Sequence, residues 1–380
     1  MAEFPENEQN VSQWKVRYVE YLKNTLNIPV SFSFLRPSFK SSELMALTAK
    51  FAAMMEAGLP VIGSLRVLAH EADNLRLKQQ LENVAIQVEK GFSLTQSFSI
   101  QGSSFPPILV SMINAGENSG RLDIALQRLT HHFEKQDELE QKVRSATAYP
   151  KFIAVVLFLV VFFLFMFVIP TFQGVFQSLG AELPLITRII LSGGNALNNY
   201  GLLIIGSLFF LFILFSRLIK TEKGLQVKDR VSLLIPIYKT FVRKLLVARF
   251  CRTLSTMLGS GIDIILSLEL AGKVTGSIVF EDRIQEARLN IIQGLTVTEA
   301  LKRTGFFPPM ALGLVNTGEQ TGTLDKMFER SAAFYEQELD YFLARLGSIL
   351  EPAFVLFMAL IVGSVVMAIF LPMLQLFTLY

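Results

Sequence analysis

The sequence predicts an all-α membrane protein of two tandem homologous six-helix cytoplasmic bundles and three transmembrane helices. Three observations carry this prediction. Long apolar runs without charge recur along the chain, one module is written twice at a nearly constant offset, and apolar residues within each copy fall at helical rather than alternating spacing.

The chain has 380 residues, enough for two domains of ordinary size, and 51% of it is hydrophobic with 33 phenylalanines and only 18% charged residues. That mixture suits a chain that is partly embedded and partly globular. A net charge of +3 is too small to point to nucleic acid, and no nucleic-acid partner is expected. Cys251 is the one cysteine, which excludes an intrachain disulfide and a multi-cysteine metal cluster and predicts a buried, reduced thiol. The opening Met1-Ala2-Glu3-Phe4-Pro5-Glu6 is acidic and leads into no apolar core, so the spans themselves are expected to do the targeting.

The first predicted span covers 152–170; its uncharged stretch Phe152 to Ile169 would extend about 27 Å as a helix, close to the roughly 30 Å hydrocarbon core. The second, 202–219, carries the apolar run Leu202 to Ser216, with Arg217 placed to snorkel at its end. The third covers 353–372. Lys142, Arg144 and Lys151 precede the first span, and Arg217, Lys220, Lys223, Lys228 and Arg230 follow the second run, whereas Thr171 to Gly201 holds only Glu182 and Arg188. Positive residues stay inside, so the N-terminus is expected in the cytoplasm and the C-terminus outside. The expected order is a leader (1–41), bundle one (42–151), span one, an external loop (171–201), span two, bundle two (220–352), span three and an external tail (373–380).

The duplication organises all of this. Ala57-Gly58-Leu59-Pro60 corresponds to Ser260-Gly261-Ile262-Asp263, and Lys90-Gly91-Phe92-Ser93-Leu94-Thr95 to Gln293-Gly294-Leu295-Thr296-Val297-Thr298, at an offset of 203. After a one-residue deletion the offset is 202. Phe105-Pro106-Pro107 then matches Phe307-Pro308-Pro309, and Asn114 to Asp123 matches Asn316 to Asp325. Pro150, Phe152 and Pro170 match Pro352, Phe354 and Pro372.

In copy one the punctuation predicts helices over 42–57, 60–72, 74–90, 93–100, 106–115 and 121–148. Gly58 and Gly91 fall where helices should stop, Ser93 and Thr95 suit a helix start, and Pro106 and Pro107 suit a first turn. Leu122, Leu126, Leu129 and Phe133 form an apolar stripe on the last helix; in copy two the stripe reads Leu324, Met327, Phe328, Phe334 and Tyr335. Both copies lead into their span from the cytoplasm, which makes the repeats parallel, with span two as the return crossing.

The best-marked motif is the octet Gly-Glu-x-(Ser/Thr)-Gly-x-Leu-Asp at 116–123 and 318–325. Gly116, Gly120, Gly318 and Gly322 suit a tight interhelical turn, and Asp123 and Asp325 suit a first helical turn, where the dipole favours a carboxylate. Glu117 and Glu319 are candidates for contact with a partner or a cation. Pro150, Pro170, Pro352 and Pro372 bracket spans one and three and suit helix boundaries or kinks. The basic residues Lys239, Arg243, Lys244, Arg249 and Arg252 are expected to be solvated or to face anionic lipid rather than nucleic acid.

Catalytic and energy-coupling signals do not accompany these motifs. His70, His131 and His132 have no metal-ligand or triad companion at telling spacing, so no metal and no cofactor is expected. Gly272-Lys273 is followed by Val274 where a phosphate-binding loop needs Ser or Thr. The spans hold no ionisable residue at their centres to mark a proton or ion path. The chain is therefore not expected to be an enzyme, and energy would come from another subunit.

The run Lys142-Val143-Arg144-Ser145-Ala146-Thr147-Ala148-Tyr149-Pro150, followed by Ile153, Leu164 and Val168-Ile169-Pro170, resembles the signature of the bacterial type II secretion F-protein family. That family includes the inner-membrane platform proteins of type IV pili. Thr147 stands where the signature usually carries an aliphatic residue. The resemblance covers about residues 42–375 and implies paired six-helix cytoplasmic domains on a multi-pass inner-membrane protein. It further implies a platform that couples a cytoplasmic ATPase to polymerisation of pilin or pseudopilin subunits, alongside other inner-membrane assembly proteins, the lipid bilayer and further copies of itself. A competing class is a transporter or permease subunit, where parallel repeats with spans also occur; uncharged spans and only three crossings speak against it.

Overall fold

A computed structural model describes residues 39–168, 206–207, 210–211 and 236–378. The leader through residue 38, the external loop, most of the second span and Pro170 lie outside the described residues. Every regular element among the described residues is helical. Among the described residues twelve α-helices fall into two sets of six.

The first set comprises α1 (Ser41–Glu56), α2 (Val61–Glu71), α3 (Leu75–Glu89), α4 (Leu94–Ile100), α5 (Pro107–Ser119) and α6 (Leu122–Phe163). Each boundary has a local cause. Gly58 and Gly91 adopt φ of 73° and 93°, open to glycine without steric cost, and stop α1 and α3. Asn74 caps α3 by accepting from Arg76 N at 3.0 Å. Ser93 Oγ accepts from Gln96 N at 3.1 Å while Gln96 Oε1 accepts from Ser93 N at 3.2 Å, a capping box that starts α4. Pro107 is the first residue of α5, where a missing N–H costs nothing.

The second set comprises α7 (Pro236–Gly259), α8 (Ile264–Val274), α9 (Ile278–Ile292), α10 (Val297–Arg303), α11 (Pro309–Thr321) and α12 (Leu324–Thr378). Asp263, Ser277 and Thr296 cap α8, α9 and α10 through their side-chain oxygens.

The compact division of the chain places the described residues through Glu134, with Ser260–Ile262, in a first unit, and Lys135–Gly259 with Asp263 onward in a second. The first unit closes over Leu65, Leu81, Phe98, Ile108, Met112, Leu126, Leu129 and Phe133, with Phe105 wedged between Phe39 and Phe98 at centroid distances of 5.3 and 4.9 Å. In the second unit Phe250 is the hub, meeting Phe280, Phe307 and Phe328 edge-on at 5.6, 5.4 and 6.4 Å. Leu139 of α6 joins that core, and Lys142 Nζ lies 2.6 Å from Asp340 Oδ2 of α12.

Two sequence expectations change here, the helix-boundary reading of the prolines and the place of Phe334 on the apolar stripe. α6 runs through Pro150, and α12 runs through both Pro352 and Pro372, so these prolines are interior to helices. Each removes one backbone hydrogen bond. Breaking the helix would expose several more polar groups among apolar residues, so continuity costs less. Directly after α6 the chain continues as a π-helix over Leu164–Val168. Finally, Phe334 lies off the buried stripe: it is 36% exposed whereas its neighbour Tyr335 is 3% exposed, a consequence of the 100° step between successive helical residues. His132, its counterpart in copy one, is buried.

Candidate functional site

The octet forms the same clip in both bundles. α5 ends at Gly120 with φ of 66°, where Arg121 N donates to Gly116 O at 2.9 Å and Gly120 N to Glu117 O at 3.3 Å, the bond pattern of a Schellman stop. α11 ends alike at Gly322, with φ of 68° and Thr323 N donating to Gly318 O at 2.9 Å. Asp123 and Asp325 lie in the first turns of α6 and α12.

Gly116 and Gly318 have another task. A Cβ on Gly116 would lie 2.8 Å from Ala125 Cβ, and one on Gly318 would lie 2.9 Å from Met327 Cβ. Only a bare backbone lets α5 approach α6, and α11 approach α12, this closely.

The glutamates of the octet reach a third helix. Glu117 accepts from Leu94 N (2.9 Å), Thr95 N (3.1 Å) and Thr95 Oγ1 (2.6 Å), capping the free amides at the start of α4. Glu319 accepts from Val297 N (2.6 Å), Thr298 N (3.1 Å) and Thr298 Oγ1 (2.7 Å) at the start of α10. The structure thus brings each glutamate to a helix terminus of its own bundle, an arrangement the sequence analysis did not foresee. The signal for it was present: Thr95 and Thr298 recur in step with Glu117 and Glu319.

Arg243, Lys244 and Arg252 of α7 are engaged within the second bundle, contrary to the expectation that they face solvent or lipid, whereas Lys239 is exposed as expected. Arg252 makes a bidentate pair with Glu336 of α12, Nε to Oε1 at 2.9 Å and Nη2 to Oε2 at 2.7 Å, with side-chain exposures of 9% and 18%. Lys244 Nζ lies 2.7 Å from Glu338 Oε2, and Arg243 Nε donates to Phe306 O at 2.5 Å. Only Lys239 is exposed among Lys239, Arg243, Lys244 and Arg252.

Titratable groups elsewhere serve packing. Cys251 is wholly buried beside the core of α7, and desolvation pushes its thiol far above the usual range. Burial likewise raises the Tyr335 phenol. Glu281 is raised first by burial, with Lys273 opposing, and then by Asp282 and Glu269. No group of three His, Cys, Asp or Glu side chains with metal-binding geometry occurs among the described residues.

The far ends of α6 and α12 behave differently from both bundles. Each is long and apolar enough to cross a membrane, yet 0% of the apolar window of α6 and 6% of that of α12 is buried within the protein. Phe152, Val155, Phe158 and Leu159 on one helix and Val355, Leu356 and Leu360 on the other stand exposed. Surfaces of this length and character need an apolar surrounding.

The sequence matches the family model described as type II secretion system (T2SS), protein F, over residues 47–170 and 250–372, two stretches that coincide with the repeats. It is 35% identical to a type IV pilus assembly protein PilC of Thermus thermophilus over 87% of this chain and 82% of that protein. It is 31% identical to a type IV pilus assembly protein PilC of Pseudomonas aeruginosa, over 89% of this chain and 90% of the relative. It is also 31% identical to a type II secretion system protein F of Aeromonas hydrophila, over 91% of this chain and 89% of the relative. A family match to both halves of the duplication, joined to two six-helix sets that each end in an unburied apolar helix, leads to one conclusion: the chain belongs to the type II secretion system protein F family.

Proposed function

We propose that this chain is the inner-membrane platform of a type II secretion or type IV pilus assembly machine, coupling a cytoplasmic ATPase to polymerisation of pilin-like subunits. The observation that carries the reading is the continuity of α6 and α12: each is one helix from a packed bundle into an unburied apolar segment. A helix held at one end by a rigid core transmits displacement or rotation along its axis without dissipating it in a loop. The relatives' names, pilus assembly protein and secretion system protein, fit a scaffold of this kind. Both bundles lie in the cytoplasm, three spans cross the bilayer, and the octet glutamates serve as internal clips that keep each bundle rigid under load.

The test is recovery of the native complex. The full-length chain, tagged and extracted from crosslinked membranes of its own cell, is expected to bring down a hexameric ATPase and a pilin or pseudopilin. Recovery of the intact chain without either, from cells actively assembling fibres or secreting, would defeat the proposal.

A further inference from the structure

The two membrane-entering helices differ in charge in the same frame: Arg144 and Lys151 of α6 align with Leu346 and Ala353 of α12, where the nearest cation is Arg345, one position off that face. Tyr149-Pro150-Lys151 of α6 corresponds to Glu351-Pro352-Ala353 of α12, the two prolines being followed two residues on by Phe152 and Phe354. Arg144, Ala148, Lys151, Val155, Phe158 and Leu159 share one face of α6 by helical spacing, and all six are exposed. The corresponding face of α12 reads Leu346, Leu350, Ala353, Phe357 and Leu360, with no cation.

Among the described residues Arg144 and Lys151 make no ion pair, whereas their neighbour Lys142 is held by Asp340. Their backbones are about 10 Å apart along the helix axis. Ala148 lies between them and presents only a methyl group, so two long cationic side chains can converge over it. Directly beyond begins the exposed apolar surface of Phe152, Val155 and Phe158, and exposed Tyr149 stands at the junction, where a ring with a polar tip is at home.

We propose that this face of α6 is a binding site for an anionic phospholipid, the headgroup phosphate held between Arg144 and Lys151 and the acyl chain laid along Val155, Phe158 and Leu159. Charge complementarity selects the anionic headgroup, and the continuous apolar face selects a lipid over a soluble phosphate. The corresponding face of α12, with Leu346 and Ala353 at these positions and Glu351 nearby, takes no such ligand. The site rests on reading α6 as a span, though not on the identity of the machine.

The experiment uses the full chain in nanodiscs of phosphatidylcholine containing a minority of spin-labelled phosphatidylglycerol, read by electron paramagnetic resonance as the immobilised lipid fraction. Phosphatidylglycerol is expected to associate roughly tenfold more strongly than spin-labelled phosphatidylcholine. Excess inorganic phosphate should not displace it. The R144Q/K151Q variant should bring the preference down to the phosphatidylcholine level. The K302Q/R303Q variant, which removes the same charge from exposed positions on α10, should leave it unchanged. Equal loss in both variants, persistence in R144Q/K151Q, displacement by phosphate, or no preference in the unaltered chain would each overturn the site. A chain recovered outside the disc would overturn the span reading and the site with it.

Discussion

Glu117 and Glu319 show how much one side chain can do at a helix start. Each carboxylate accepts two backbone amides and a hydroxyl from a seven-residue helix too short to persist alone. Charge-assisted bonds of this kind contribute about 1.5–3 kcal/mol each before coupling, and loss of a cap costs about 1 kcal/mol. Replacing Glu117 by Ala should therefore destabilise the first bundle by about 1–3 kcal/mol, seen as a lowered unfolding midpoint. Thr95→Ala should cost less, and the double variant less than the two single losses together, because both remove one shared contact. Strict additivity between Thr95 and Glu117 would contradict the clip and return the glutamate to the role of an outward contact. The sequence marked the octet as a turn and its glutamates as unusual, but could not reveal their partner: twenty-two positions separate Thr95 from Glu117. Only the fold of α4 back onto α5 closes that gap.

At the scale of elements, close crossing of helices is what the octet glycines provide. Gly116 and Gly318 leave no room for a Cβ, whereas Gly313, midway along α11, faces open space. Gly116→Ala and Gly318→Ala should each destabilise by about 1–3 kcal/mol through overpacking. Gly313→Ala should stabilise by about 0.5–1 kcal/mol, since alanine restricts the unfolded chain and fits an exposed helical site. Thermal unfolding of the three variants checks this; a stabilised Gly318→Ala would mean α11 and α12 are free to separate. Element starts and stops were the most legible part of the sequence, because Ser93, Asn74, Pro107 and the positive-φ glycines act within a few residues of themselves. The expected long helix leading from each bundle into its span is what α6 and α12 form; what the sequence left open was whether the prolines end it, since that depends on what the neighbouring turns would lose by ending. The part-buried Arg252–Glu336 pair was hidden. Copy one has Ala49 and Glu134 at the matching positions, so no repeat signal exists, and the pair arises from the length over which α7 packs on α12.

For the molecule as a whole, duplication means that one module must solve the same problem twice: a water-facing bundle joined to a helix that leaves water. The charge pattern around the apolar runs is the ground for proposing that both bundles lie on the cytoplasmic side, and the proposal can be examined without disturbing either core. Cys251 is buried, so its thiol is shielded and its replacement by Ser gives a background free of reactive thiols. Asn118 and Gln320 are exposed residues at corresponding places in the two octets, each beside its clip rather than in it. A cysteine placed at either position should stay unmodified by a membrane-impermeant maleimide in intact spheroplasts and become labelled in inverted vesicles. The two positions should respond alike, because parallel repeats demand the same side. Labelling of one site from outside would make the repeats antiparallel, require an odd number of crossings between them, and leave a cytoplasmic motor with only one bundle to grip.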